Sequence, residues 1–469
     1  MIKVPDEIDQ VAVSKAYKAE QAHVLRFWER LDEAERRALL DQLREVDFQQ
    51  LGRLTQLIDQ EPPPRQEAAP VAPVRVDQPE RRAELAARGW EALRRGQVAL
   101  LLVAGGQGTR LGWSGPKGTY PIGPATDKSL YQLFAEQVRA LGERAGAPLR
   151  WFIMTSKDND AATREFFEQE GFFGLDPARV TFLVQRELPN VDLRGKLVMR
   201  DRAQLAMSPN GHGGALRALI DAHALGELRE AGVELLFYWQ VDNPLCSVAD
   251  PVFLGAHLEA GAEASTKVVK KTDPAEKVGL VVERGGRSAV VEYSDMSAEQ
   301  QQARDEETGE LAFRAGNIAI HLFGRAFLER VAEQVELEHH VARKAVPCID
   351  QAGDPLMPDE PNAVKFETFI FDVLPHAEGH VTFEVDRAEE FEPLKNAEGP
   401  YSPETVRRAL SERAARWLAQ AGRAPARDAT GALTCACEVS PLTALDAAAL
   451  AEALAGGPGP EPQDGKLAV

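Results

Sequence analysis

The stretch Val98-Ala-Leu-Leu-Leu-Val-Ala104 is followed at once by GGQGTRLGWSGPKG, residues 105 to 118, and this pairing limits the fold more than any other part of the chain. Seven consecutive apolar residues read as a strand buried on both faces, the pattern of a parallel sheet covered by helices. A glycine-rich loop at the carboxyl end of such a strand is where open α/β sheets bind nucleotides. The expected fold is therefore α/β, with a doubly wound, mostly parallel, Rossmann-like sheet.

The loop composition indicates what kind of ligand it suits. Gly105, Gly106, Gly108 and Gly112 lack Cβ atoms, so backbone N–H groups can approach a phosphate chain closely. Arg110 adds a guanidinium that pairs with phosphate oxygens in bidentate fashion, and Lys117 a movable point charge. Two better-known phosphate motifs are excluded. Lys117 follows Pro116 and precedes Gly118, which breaks the Gly-Lys-Ser/Thr of a P-loop. Gly106, Gly108 and Gly112 form GxGxxxG, one residue longer than the dinucleotide fingerprint.

Punctuation along the chain divides it. Residues 6 to 58 place apolar side chains at helical spacing, as in Leu39-Leu40-Leu43, and predict a helical N-terminal cap over 1–60. The proline-rich EPPPRQEAAPVAPV opens an extended, exposed linker over 61–78. A catalytic domain is expected over 79–380, starting with a helix at 79–95. Strands near 150–155, 180–184, 234–241, 266–270, 278–282 and 288–292 follow, most of them separated by helices. A small C-terminal domain is expected over 381–469, with one strand, a helix at 403–421 and an alanine-rich tail.

A net charge of −19 argues against nucleic acid and anionic membranes as partners, since both reward clustered Lys and Arg. Four cysteines are too few for a disulfide framework, and the N-terminus has no signal-like apolar region, so a cytoplasmic protein with free thiols is expected. The nine histidines form no HxxxH or HExxH pattern. Glu338-His339-His340 reads as a solvated helix end, and no structural metal is expected.

A second station is Asp242, after the apolar Val233-Glu-Leu-Leu-Phe-Tyr-Trp. Magnesium takes one or two carboxylates together with phosphate oxygens and water, so an Asp at the carboxyl end of a central strand suits it. Read from the residues alone, Asp242 could equally cap the turn through Asn243-Pro244. A third station is the glycine turn Gly211-His212-Gly213-Gly214 ahead of a helix.

AGGQGTRLGWSGPKG resembles the AGGxGTRLG…PKG signature of the eukaryotic-type UDP-N-acetylhexosamine pyrophosphorylases, within the UTP-dependent sugar-1-phosphate uridylyltransferases. The resemblance continues in order through IMTSKDND at 153, QRELP at 185, MSPNGHGG at 207, VDNPL at 241, VVEYSDMS at 290, AGNI at 315, VKFETFIFDVL at 364 and FEPLKNAEG at 391. It covers about residues 20 to 410.

The resemblance implies a nucleotidyltransferase that forms a UDP-sugar and pyrophosphate from UTP and a hexose-1-phosphate, N-acetylglucosamine-1-phosphate before others. It implies catalytic roles for Arg110, Lys117, Lys365 and Lys395, and nucleotide binding by Val103, Ala104, Gly105, Gly106, Gln185 and Gly211. Sugar binding falls to His212, Gly279, Glu292, Tyr293 and Asn317, and Asp242 becomes a ligand of Mg2+. No nucleic acid, membrane or obligate protein partner is implied.

One departure bears on the sugar. N-acetylhexosamine enzymes usually carry Asn where this chain has His212, and glucose enzymes have GHG followed by Asp where it has Gly214. A glucose-1-phosphate or broad-specificity enzyme is one alternative. A non-catalytic UDP-sugar-binding regulator is another, although such a protein could lose Arg110, Lys117 or Asp242, and this chain keeps all three.

Overall fold

The computed structural model describes residues 1–60, 67–455, 457 and 460–469. Its contacts divide the chain into two compact units. One comprises Met1–Arg65, Gln185–Gly214 and Glu336–Asp372, the other Gln66–Val184, Ala215–Val335 and Val373–Val469. The linear boundaries read from the sequence at 60, 78 and 380 do not coincide with these units. The reason lies in burial. A segment of about 60 residues has little interior of its own, and the helices Glu7–Lys18, Glu33–Glu45 and Phe48–Gln56 share one core with Val191, Leu197, Leu205, Val364 and Phe366.

The larger unit is built on a ten-stranded sheet. Its main strands are β1 (Val98–Val103), β2 (Arg150–Thr155), β3 (Val180–Val184), β4 (Leu235–Gln240), β5 (Ala264–Lys270), β6 (Leu280–Arg284), β7 (Arg287–Val291), β8 (Ala315–Gly324) and β9 (His380–Val385). Strands β4, β1, β2 and β3 lie side by side and parallel, in that order. β8 enters antiparallel between β4 and β5, and β9 pairs with β5 in parallel. The parallel strands are the near-continuous apolar runs of the sequence. Val98 to Leu102 are buried throughout, and Leu100, Leu102, Trp151, Ile153, Phe237 and Trp239 join one core with the helices Pro79–Arg94, Leu130–Ala145 and Pro251–Ala260.

These strand directions determine what meets at one edge of the sheet. β5 is antiparallel to β8, which is antiparallel to β4, so β5 runs with β1, β2 and β4. The carboxyl ends of β1, β2, β4, β5 and β9 therefore share an edge with the start of β8. That edge is where ligands bind in open α/β sheets.

Residues 61–66 of the expected linker lie outside the described residues. The remainder is extended and attached to the sheet: Ala69 and Pro70 pair with Glu283 and Val282 of β6, and Val74 N–H donates to Thr382 O at 2.7 Å.

The reading of Glu338-His339-His340 as a helix end is corrected. His340 opens a strand, His340–Lys344, whose partner is Ala363–Glu367 in the smaller unit. The local sequence is polar because this is an edge strand, and pairing with a distant segment overrides its weak helical pattern.

The helix expected at 403–421 runs Pro403–Gln420, with a capping box formed by Ser402 and Thr405. Beyond it Ala436–Glu438 pairs in parallel with Lys466–Ala468, a contact the sequence does not announce. Among the described residues no helix is long and apolar enough to cross a membrane.

Candidate active site

In the larger unit the glycine loop closes on itself. Lys117 N–H donates to Gly106 O at 3.0 Å and Gly108 N–H to Gly115 O at 2.9 Å, so residues 105–118 form a tight hairpin at the end of β1. Gly108 is required there, since a Cβ would stand 2.7 Å from Cβ of Trp113, whose indole donates to Thr119 Oγ1 at 2.9 Å. The N–H groups of Gly105, Gly106 and Gln107 find no acceptor among the described residues. Successive unspent amides of this kind form an anion-binding concavity. Arg110 is exposed on the short 3-10 turn Thr109–Leu111.

The loop is anchored by a residue the sequence reading passed over. Asn159 is wholly buried, and its Nδ2 donates to Ala104 O at 2.9 Å while its Oδ1 accepts from Ser156 N–H at 2.8 Å. Its only signal was membership of IMTSKDND, where nothing distinguishes it from a helix-capping Asn.

Asp242, two residues beyond β4, stands beside this loop through a third segment. Leu394 of the PLKNA sequence donates its N–H to Asp242 O at 2.7 Å and accepts at its carbonyl from Lys117 Nζ at 3.3 Å. Asn243 completes the tie. Its Nδ2 donates to Glu390 O at 2.8 Å and its Oδ1 accepts from Glu392 N–H at 3.2 Å. Lys395 is exposed, with its ammonium 5.9 Å above the Tyr401 ring. The sequence motifs at 105–118, 242 and 393–397 thus meet at one place.

The sugar-side residues of this unit also gather. Asn317 N–H donates to Gly279 O at 2.8 Å, and a Cβ on Gly279 would lie 3.4 Å from Glu292 Oε1. Asn317 Oδ1 is occupied by Ala319 N–H at 3.0 Å, at a bulge in β8, which leaves the Nδ2 donors for other partners. Tyr293 begins the 3-10 turn after β7.

Gln185, Gly211, His212 and Lys365 belong to the smaller unit. The buried Gln185 amide donates to Asn210 Oδ1 at 3.0 Å and to Gly211 O, so its carbonyl oxygen faces away from both. Gly211 has φ +82°, and a Cβ there would fall 2.3 Å from Thr368 O. The turn is held to the Lys365 segment by Thr368 N–H to Asn210 O and Gly213 N–H to Thr368 O, both at 2.8 Å.

The His212 ring stacks on Phe369 with centroids 5.1 Å apart, and its Nδ1 accepts from Ile370 N–H at 3.2 Å. Burial pushes its pKa down to about 4. The imidazole is therefore neutral at pH 7, and with Nδ1 accepting, its remaining proton sits on Nε2.

A mostly parallel sheet with unspent amides, a lysine and a carboxylate at its carboxyl edge is suited to hold the phosphates of a nucleotide. The model of the UTP–glucose-1-phosphate uridylyltransferase family matches residues 57–422, and the chain belongs to that family.

Among relatives, the human UDP-N-acetylhexosamine pyrophosphorylase-like protein 1 is 39% identical over 469 residues, covering 92% of each chain. The UDP-N-acetylglucosamine pyrophosphorylase of Saccharomyces cerevisiae is 40% identical over 345 residues, covering 71% of this chain and 72% of its own. Among solved structures, the uridine diphosphate N-acetylglucosamine pyrophosphorylase of Trypanosoma brucei aligns with a TM-score of 0.82 at 28% identity. That alignment covers 100% of this chain and 99% of the other.

Proposed function

We propose that the protein transfers a uridylyl group from UTP to a hexose-1-phosphate, N-acetylglucosamine-1-phosphate before others, and releases pyrophosphate. The observation that carries this reading is the junction at Leu394, which holds the phosphate-loop lysine, Asp242 and the PLKNA loop together. The relatives that match most of the chain are named for N-acetylhexosamine substrates, which favours the acetamido sugar over glucose.

An oxygen of the sugar phosphate attacks the α-phosphorus of UTP, and the bond from that phosphorus to the bridging oxygen breaks with pyrophosphate as leaving group. The attacking oxygen is already ionised at neutral pH, so no general base is needed. Catalysis then consists of positioning two anions and neutralising the charge that moves toward pyrophosphate. Gly105 and Gly106 offer their amides to the phosphate chain, with Val103 and Ala104 setting the loop's origin. Arg110 and Lys117 take the growing charge on the leaving group.

Lys365 and Lys395 offset the repulsion between the two substrates. Gln185 offers its carbonyl oxygen to the imide N–H of uracil while Gly211 leaves room for the flat base. Gly279, Glu292, Tyr293, Asn317 and His212 serve the sugar.

The Asp242 carboxylate has no hydrogen-bond partner among the described residues, and a lone hard-oxygen ligand beside a phosphate loop fits Mg2+, which completes its shell with phosphate oxygens and water. Bound there, Mg2+ would supply charge neutralisation at the phosphates.

The test is pyrophosphate release from UTP across glucose-, galactose-, N-acetylglucosamine- and N-acetylgalactosamine-1-phosphates. Release with N-acetylglucosamine-1-phosphate ahead of glucose-1-phosphate is expected. No release with any of them would refute uridylyl transfer.

A further inference from the structure

Two buried lysines, Lys267 in β5 and Lys271 just past its end, lie on one line, and only Lys267 is paired among the described residues. Lys267 is fully buried, and its ammonium donates to Asp250 at 2.9 Å and to Glu390 at 2.5 Å. Side chains alternate along a strand, so Lys271, four residues on, returns to the same face. The alternation holds to that point, because β5 is regular against β9 up to Val269 and the Lys271 N–H continues the ladder by donating to Arg314 O at 2.8 Å.

Lys271 is only 2% exposed, yet its ammonium has no hydrogen-bond or ion-pair partner among the described residues. Its two nearest carboxylates act only at longer range and have other partners: Glu276 is held by Arg387 at 2.7 Å, and Asp273 accepts from Ala275 N–H at 2.9 Å. Burial lowers the Lys271 pKa, the direction for a cation that lacks a counter-charge.

Its place in the sheet indicates what the counter-charge would be. Lys271 is the first residue past the carboxyl end of β5, on the edge that carries the phosphate loop and Asp242. On one side, Lys270 pairs with Ala315, two residues from Asn317. On the other, Glu276 connects through Arg387 and Tyr401 to Lys395. Lys271 thus shares this edge of the sheet with the sugar-side residues and the PLKNA loop.

We propose that Lys271 is a further phosphate-binding residue, whose ammonium takes an oxygen of the sugar-1-phosphate, the group that becomes the β-phosphate of the UDP-sugar. This assignment rests on the uridylyltransferase reading above. A largely desolvated ammonium without a counter-charge gains a charge-assisted hydrogen bond when an anionic ligand pairs it.

The experiment compares wild type with Lys271→Met, which keeps the length and removes the charge, and Lys271→Arg, which keeps the charge. Affinities for UMP and for UDP-N-acetylglucosamine are measured by ligand-dependent Tm, a readout that needs no turnover. Lys271→Met is expected to weaken UDP-N-acetylglucosamine binding roughly 10- to 100-fold while changing UMP binding less than about 2-fold, the loss of one charge-assisted hydrogen bond. Its ligand-free Tm should equal or exceed that of wild type, and Lys271→Arg should recover part of the affinity.

Equal weakening for both nucleotides, or a lower ligand-free Tm with unchanged UDP-sugar affinity, would overturn the proposal in favour of a structural lysine. Wild type that binds the UDP-sugar normally but shows no turnover would overturn the catalytic reading alone.

Discussion

Replacing Asn159 tests whether the phosphate loop is held by a buried side chain or only by its own hairpin. Asn159→Ala removes the donor to Ala104 O and the acceptor for Ser156 N–H, both buried positions. Gly106 O loses a weaker bond at 3.4 Å but keeps the Lys117 N–H. Two buried backbone groups without partners, at about 1–2 kcal/mol each, set the expected loss of stability at about 2–4 kcal/mol.

The functional cost should be larger than the folding cost suggests. Ala104 is the hinge of the loop, and a shift of about 1 Å at a positioning element can cost about 100-fold in rate. Asn159→Asp separates the two effects. It keeps the acceptor for Ser156 but sets a carboxylate oxygen against Ala104 O, so it should lose at least as much activity as the alanine variant. Urea denaturation and kcat/KM for UTP are the assays. A stability loss below about 1 kcal/mol together with wild-type kcat/KM would refute the anchoring argument.

Other outcomes follow from the same geometry. Arg110→Ala or Lys117→Ala should lower kcat by roughly 100- to 1,000-fold with little loss of stability, and near-normal turnover would remove either residue from the charge-stabilising role. Chelator should abolish activity and Mg2+ restore it, whereas Asp242→Asn should resist rescue at ordinary magnesium; full activity without divalent metal would count against Asp242 as a ligand. His212→Asn should change the ratio of kcat/KM between N-acetylglucosamine- and glucose-1-phosphate by roughly 10- to 100-fold, since it exchanges a single Nε2–H donor for an amide. Wild-type preference for glucose-1-phosphate would overturn the sugar assignment and leave uridylyl transfer standing.

The buried His257, bonded to Ser265 Oγ at 2.7 Å, has its pKa lowered from 6.5 to about 4 by burial. It stays neutral in the fold while the unfolded chain takes up a proton below pH 6.5. Its contribution to stability is therefore complete above pH 6.5 and lost as pH falls toward 4, about 2 kcal/mol at pH 5. A Tm profile as steep between pH 7 and 5 in His257→Gln as in wild type would contradict this.

The parallel strands, the glycine loop and the strand-end aspartate were legible in the sequence because each is written in adjacent residues. An apolar run from Val98 to Ala104 has few folded solutions, and a glycine cluster after it has a restricted backbone use. The helix expected at 403–421 was likewise legible, and it runs Pro403–Gln420.

What the sequence did not show depends on partners far along the chain. Nothing near Asn159 says that Ala104 needs a donor, nothing near His340 says that Ala363–Glu367 offers a strand edge, and nothing in KVVKKTD says that Lys267 rather than Lys271 finds carboxylate partners. The grouping of the N-terminal helices with residues 185–214 and 336–372 belongs to the same class. Periodicity and turn chemistry are properties of neighbouring residues. Which carbonyl receives which donor, and which buried charge finds its opposite, is decided only when the sheet's strand order brings distant segments together, because a buried polar group must be satisfied by whatever tertiary folding places beside it.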